Sequence, residues 1–300
     1  MSEAKRQHYV PRVYLKNFSV PGKCVSRVYC LRKEKSQISL ANIRDVAVEH
    51  DFYTIKDSDT PYIVENTDAQ VIEPLLADVL DTLSARCTLV QNDSIILDEN
   101  LRADLAFSMS IQLLRGKQCR KFEENIYFQN ISNVLERAKH RFPQIGSEKW
   151  DVIGQNFLDD KDYSKAISIE SSFDPRRIIQ YTSILFQRIF IVYTIVGTLE
   201  FVTSDNPVMV IDSVSYDPTP FRNGLTQVPT TVYYPISPKI MVASYHPAAL
   251  FGFYSKEDNK LKCLDADRDQ RFIRTLNRKQ FEQCYSQVYS RCEKELNELI

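Results

Sequence analysis

Apolar positions along the chain fall into two textures, and their spacing predicts most of the elements. Val71, Ile72, Leu75, Leu76, Val79, Leu80 and Leu83 recur at helical intervals and make one face of an α-helix. A second helix runs through Leu101, Leu105, Met109 and Leu113, with Asp98 placed to cap its first turn. Gly116 ends or kinks it. Helical spacing then resumes through Ile126, Ile131, Val134 and Leu135 to about 141, before Pro143 and Gly146. After a mixed stretch around Trp150, Asp174-Pro175 opens a further helix to about 187. The texture then turns β-branched and aromatic. Residues 188–196, 198–204, 208–212, 230–237 and 240–245 read as successive strands, with Gly197 in a tight hairpin. Short strands are also expected at 25–31 and 51–55, with one or two more between Ile38 and Val48. Two closing helices are expected at about 266–275 and 278–299.

Strands, helices, a run of antiparallel strands and helices again is a segregated order. It argues for an α+β fold, an antiparallel sheet packed with a helical block, rather than a parallel doubly wound sheet. No repeat or Pro/Gly/Ser linker divides the chain, so a single domain over 1–300 is expected, with a mainly helical insertion at about 66–142. Residues 1–23 read as an irregular basic segment anchored by Tyr9, Tyr14 and Phe18.

Composition narrows the function classes. The 38 Lys+Arg and 39 Asp+Glu give a net charge of −1, and no apolar run is long enough to span a bilayer. The start, MSEAKRQH, has no apolar segment of the secretory kind, so a cytoplasmic protein with no membrane partner is expected. The seven cysteines show no Cys-x-x-Cys spacing, which favours free thiols over a zinc ribbon or redox pair. No two of the seven glycines lie two apart, which removes the dinucleotide fingerprint. Gly116-Lys117 has Ile111 where a phosphate loop places its first glycine. Ser204-Asp205-Asn206 has no Lys-Thr-Gly after it, so serine acyl transfer of the penicillin-binding type is excluded too.

Three places could carry chemistry. His8 lies in Gln7-His8-Tyr9-Val10-Pro11-Arg12, where packed aromatics and Pro11 would hold an imidazole rigidly as a general base or ligand; the structural alternative is a histidine bonded to backbone. Thr203-Ser204-Asp205-Asn206-Pro207 follows an apolar strand directly, a place where rigid backbone presents side chains, although the same residues form ordinary polar turns. Asp104, Ser108, Gln112 and Arg115 stack along one side of an otherwise apolar helix, either as its wet face or as a cavity wall with Arg115 facing an anion. Asn277 shares a helix face with Ile273, Phe281, Cys284 and Val288, so it is expected to be buried and hydrogen-bonded.

Charge is balanced overall yet uneven. The first 35 residues hold nine Lys/Arg against two acids, and Arg115, Lys117, Arg120 and Lys121 form a second basic cluster. Basic residues among tyrosines and phenylalanines suit nucleic acid or nucleotide contact, and solvated basic surface equally well.

Over most of its length the chain resembles the domain of unknown function 4238 family. The resemblance rests on QHYVPRVYLKNF from Gln7, DFYT from Asp51, an acidic helix at Glu73 and Asp81, QLLRGK from Gln112, FVTSDNPV from Phe201, PISPK from Pro235, and Asn277. Gly116 departs from the Thr-Pro expected after QLLR. Members of that family are prokaryotic, and some look like single-gene anti-phage defence proteins, which implies a defence role without naming a reaction. The resemblance favours His8, Arg115, Ser204, Asp205 and Asn206, which fall within its motifs; His8, Ser204, Asp205 and Asn206 are expected to be catalytic, with Arg115, Gln112 and Arg12 binding substrate. The resulting expectation is a hydrolase, nuclease or nucleotide-directed, with a divalent metal left open. A non-catalytic sensor or binding module for a phage component is the alternative.

Overall fold

A computed structural model describes residues 6–22, 24–55, 59–212 and 224–300. The Ser2–Lys5 end lies outside them. Strand β1 (Arg6–His8) leads into α1 (Arg12–Lys16), then β2 (Arg27–Arg32), β3 (Gln37–Asn42) and β4 (Val48–His50). The helical block comprises α2 (Ile63–Thr67), a π-helical turn (Asp68–Ile72), α3 (Glu73–Leu89), α4 (Glu99–Arg115), α5 (Lys117–Arg141), α6 (Ser147–Asp159), α7 (Lys161–Ser172) and α8 (Pro175–Phe186). There follow β5 (Ile189–Val196), β6 (Thr203–Ser204), β7 (Met209–Asp212), β8 (Thr230–Ser237), β9 (Ile240–Tyr245), β10 (Lys260–Asp265), α9 (Gln270–Gln283), β11 (Gln287–Ser290) and α10 (Glu293–Asn297).

The fold is α+β, with largely antiparallel sheets packed against the helical block. One sheet runs β10-β5-β9-β8-β7, antiparallel except where β10 joins β5; a second runs β3-β2-β11-β6; β1 and β4 pair separately. The main buried cluster joins Tyr9, Tyr14 and Phe18 to Leu76, Leu80 and Leu83 of α3, Leu105 and Met109 of α4, and Val232 and Val242 of the larger sheet. Asp98 accepts the Leu101 N–H and Asp174 the Arg176 N–H, the caps their positions require. All seven cysteines are free, and no helix among the described residues is long and apolar enough to cross a membrane.

Four expectations fail, three of them where partners distant in sequence take the backbone hydrogen bonds and one where a stretch without clear periodicity coils into helices. Residues 198–202 do not form a hairpin with β5, whose neighbours are β9 and β10. Instead Phe201 N–H bonds the Pro238 carbonyl and Val202 N–H bonds Asn277 Oδ1. Gly197 still turns the chain there, at φ +110°, where a Cβ would meet Ala266 Cβ at 2.6 Å. DFYTI is a turn, with Asp51 at φ +53° and Tyr53 N–H held by Gln7 Oε1 at 2.6 Å. The stretch around Trp150 forms α6 and α7, so the helical part runs on to Phe186. The last segment is not one long helix either: α9 stops at Gln283, and β11 inserts between β2 and β6.

Asn277 is 3% exposed, accepting from Val202 N at 3.0 Å and donating to Glu200 O at 2.8 Å. It pins α9 to an extended segment that no strand pairs. Asn277→Ala should therefore lower stability by about 1–3 kcal/mol, the usual effect of stranding buried partners. Thermal melts measure it; an unchanged Tm would show that the segment finds other partners.

Candidate functional site

Period-two alternation along β1 sorts its side chains. Gln7 turns inward, fully buried, donating to Thr54 Oγ1 at 3.1 Å while accepting from Tyr53 N. Arg6 and His8 turn the other way and line a cavity of about 410 Å3 with Arg12, Arg44, Glu65, Asp68, Glu73 and Arg115. Pro11 starts α1 from extended geometry, which sets Arg12 in its first turn. Tyr14, two residues on, fixes the segment: its hydroxyl donates to Pro235 O and contacts Thr203 Oγ1, both at 2.6 Å.

Three motifs converge on Arg115. The residue ends α4 with 3% exposure, and Nη2 donates to the His8 carbonyl at 2.8 Å. Nε reaches Tyr53 Oη at 3.3 Å, and Tyr53 Oη in turn donates to the Arg115 carbonyl. Asp68 Oδ2 lies 3.0 Å from Nη2, in an ion pair almost wholly out of water. Burial works against the guanidinium's charge, yet Asp68, Tyr53 and Glu73 outweigh it and hold Arg115 protonated.

Asp68 sits on the π-helical turn between α2 and α3, at 2% exposure. Such turns admit one extra residue and often occur at functional sites. Sequence reasoning passed over Asp68, although a signal was there. Val64, Asp68, Ile72 and Leu76 are spaced four apart and all buried, so an acid interrupts an apolar stripe.

Several buried atoms facing this cavity have no partner among the described residues: His8 Nε2, Asp68 Oδ1 and Arg115 Nη1, while Asp68 Oδ2 is engaged by Arg115 Nη2 alone. The imidazole bonds the Ile43 carbonyl, and since Nε2 is unpartnered, Nδ1 makes that bond. Nε2 therefore carries the free lone pair. Burial, then Arg12, lowers the His8 pKa to about 4, so the ring is neutral at neutral pH. Burial raises Glu65 to about 7, helped by Asp68; Asp68 and Glu73 also shift upward, chiefly through burial. The cavity thus presents a neutral base, a partly protonated acid and an ion pair side by side. Among the described residues no group of three or more His, Cys, Asp or Glu side chains is arranged to hold a metal ion.

The TSDNP residues, expected to be catalytic together with His8, lie elsewhere, and Asp205 does not share the His8 concavity. Asp205 is fully buried, and its carboxylate accepts from the N–H groups of Tyr285 (2.8 Å), Ser286 (2.7 Å) and Gln287 (3.0 Å) and from Ser286 Oγ (2.8 Å). It gathers the backbone that ends α9 and starts β11. Burial raises its pKa to about 6, against those hydrogen bonds. Ser204 Oγ accepts from Gln280 Nε2 and from Asn206 N; Asn206 Nδ2 donates to Gln118 Oε1 and to the Gln283 carbonyl. Neither Ser204 nor Asp205 lines the His8 cavity, and Asn206 borders a different hollow with Gln118 and Gln283. Gln112 lies off the cavity too, holding the Tyr9 carbonyl at 3.2 Å. Of the seven expected site residues, the cavity brings together His8, Arg12 and Arg115.

The second basic cluster is also engaged internally. Lys117 pairs with Glu49 and lies over the Tyr9 ring, Arg120 donates to the Phe52 carbonyl, and Lys121 pairs with Glu124. Arg12 and Arg44 differ: both are exposed at the cavity mouth, and neither guanidinium bonds another described residue.

Glu65 makes the site pH-sensitive. Its folded pKa of about 7 exceeds the ordinary 4.5, so between those values the folded protein holds more proton than the unfolded chain. Stability from this group is present at low pH and lost as pH rises through about 7. Glu65→Gln should therefore gain Tm relative to the parent between about pH 5 and about pH 8, by a few degrees. Melts of both proteins across that window measure it; parallel curves would place Glu65 in ordinary solvent.

Fold and site together define an α+β protein with a charged internal cavity built from its N-terminal strand, a π-helical turn and the end of a core helix. The chain belongs to the family described as Protein of unknown function (DUF4238), whose model matches residues 6–294. No curated protein and no solved structure matches it.

Proposed function

We propose that the His8 cavity is a hydrolytic site for a nucleotide or for the end of a nucleic acid, in a protein of anti-phage defence. The observation that supports the site is the set of buried atoms without a partner among the described residues that converge on one space: His8 Nε2, Asp68 Oδ1 and Arg115 Nη1. Buried polar groups are nearly always satisfied, and those left open in a cavity are candidates for ligand or reacting water. Neutral His8 Nε2 can accept a proton from water, and Glu65, half-protonated near neutral pH, can return one to a leaving group.

Substrate class follows from charge and size. Arg12 and Arg44 stand free at the mouth, where a phosphate would find two guanidiniums. A volume of about 410 Å3 lies in the range of small-ligand sites, so a polymer would enter by one end or one extruded residue. The defence role comes from the family resemblance and is tested separately, by plating phage on cells that express the parent and His8→Ala proteins.

The biochemical test is incubation of purified protein with nucleoside monophosphates, NAD, short RNA and plasmid, with and without magnesium. Hydrolysis of a member of the panel that His8→Ala abolishes is the expected result. Saturable binding without turnover would instead make the protein a sensor or binding module.

A further inference from the structure

Exposure sorts the cavity lining by charge. Arg6, Arg12 and Arg44 are exposed and form its mouth, whereas Asp68 is buried and Glu65 and Glu73 are half-buried beneath them. Below the mouth, three carboxylates face one guanidinium, Arg115, which Asp68 already engages. Arg6 is partly committed to Asp45 and the Arg44 carbonyl, while Arg12 and Arg44 are not committed. The cavity is cationic outside and acidic within.

We infer that the cavity cleaves the N-glycosidic bond of a ribonucleoside 5′-phosphate, with the phosphate held at the mouth and the ribose lowered among the carboxylates. This rests on the hydrolase reading and specifies its bond. Phosphoryl transfer needs cations around the transferring group, because negative charge spreads over its oxygens. A phosphate at this floor would meet three carboxylates. Glycosidic cleavage has the opposite demand: positive charge develops on the sugar as an oxocarbenium-like transition state, and nearby carboxylates stabilise it. The unpartnered atoms agree. Asp68 Oδ1 and His8 Nε2 are acceptors, matched to the donor hydroxyls of a ribose, and Arg115 Nη1 offers N–H donors in return.

The step balances with water as the sole co-reactant. The C1′–N bond breaks, its electron pair stays on the base nitrogen, and the Glu65 proton goes to the leaving base. Water oxygen bonds C1′ and gives its proton to His8 Nε2, from which solvent returns it to Glu65. A weak base suffices here, because an oxocarbenium-like centre needs little push from its nucleophile; attack on phosphorus or an acyl carbon would need more. The low pKa of His8 fits that demand.

Product analysis tests the inference. Purified protein is incubated with AMP, GMP, CMP, UMP and NAD in 18O-water, and products are separated and weighed by mass spectrometry. Free base is expected, with ribose 5-phosphate carrying 18O on its sugar from the nucleoside monophosphates and 18O-labelled ADP-ribose from NAD. Glu65→Gln should lose at least about tenfold more activity toward AMP, whose base leaves only when protonated, than toward NAD, whose pyridinium is already charged. Release of 18O-labelled phosphate by an activity that His8→Ala removes would overturn the glycosidic assignment and leave the hydrolase reading standing. A second measurement locates the phosphate: ribose 5-phosphate should raise Tm, and the Arg12→Ala/Arg44→Ala double variant should abolish that rise; such binding without turnover of any substrate would overturn the glycosidic inference and leave a binding module. Absence of both turnover and ribose 5-phosphate binding would overturn the inference and the hydrolase reading together.

Discussion

Asp205→Ala should destabilise the protein by about 3–5 kcal/mol, the largest stability effect expected of any single residue in the family motifs. The carboxylate accepts three consecutive backbone N–H groups and a serine hydroxyl in a site with no exposure to water. Removing it strands donors that water cannot reach, and each such donor costs about 1–3 kcal/mol, less than additively. The same donors define where α9 ends and β11 begins, so their loss also loosens the strand between β2 and β6. A fall in Tm on the order of 10 °C is expected by calorimetry or circular dichroism. Asp205→Asn should fall between parent and alanine variant, since an amide oxygen can still serve Ser286 and Gln287 while its NH2 confronts the Tyr285 N–H. A fully stable Asp205→Ala protein would mean that this turn is not a structural latch and would reopen a chemical role for it.

His8→Ala should behave oppositely, losing about 10²–10⁴ in rate while Tm stays within a few degrees. The side chain makes one hydrogen bond, to the Ile43 carbonyl, and its Nε2 makes none. What holds the strand is backbone: the pairing of β1 with β4, the Arg115 bond to the His8 carbonyl and the Tyr9 N–H bond to Ala47 O, all of which survive the substitution. Rate and melting are measured on the same preparation. A large fall in Tm would make His8 a packing residue among Tyr9, Tyr14 and Phe18; retained activity in a folded variant would move the chemistry to another group.

Local pattern carried much of the architecture. The apolar periodicity of α3, α4 and α5 and the caps at Asp98 and Asp174 are written in neighbouring residues, because a helix satisfies its own backbone within four positions. Strands β5, β7, β8 and β9 were legible from runs of β-branched and aromatic residues. Asn277 could be placed by its apolar neighbours at helical spacing. His8, Arg12 and Arg115 could be picked out as candidates, since a charged or titratable group amid packed aromatics needs a reason to be there.

Pairing and convergence were decided only in three dimensions. A strand's partners lie anywhere in the chain, so nothing near 198–202 announced that Asn277 and Pro238 would take its hydrogen bonds, or that β11 would displace a helix. The motif around Asp205 has the residue types of a catalytic turn. Its role as a latch depends on three N–H groups some eighty positions away. Asp68 went unread for the same reason in reverse: its charge is tolerable on a buried face only because Arg115, 47 positions on, reaches it from another helix. Sequence by itself determined which residues could do chemistry and which segments would coil or extend, since those depend on near neighbours. The tertiary structure decided which of them meet, because burial, pKa and hydrogen-bond satisfaction are properties of the space they share.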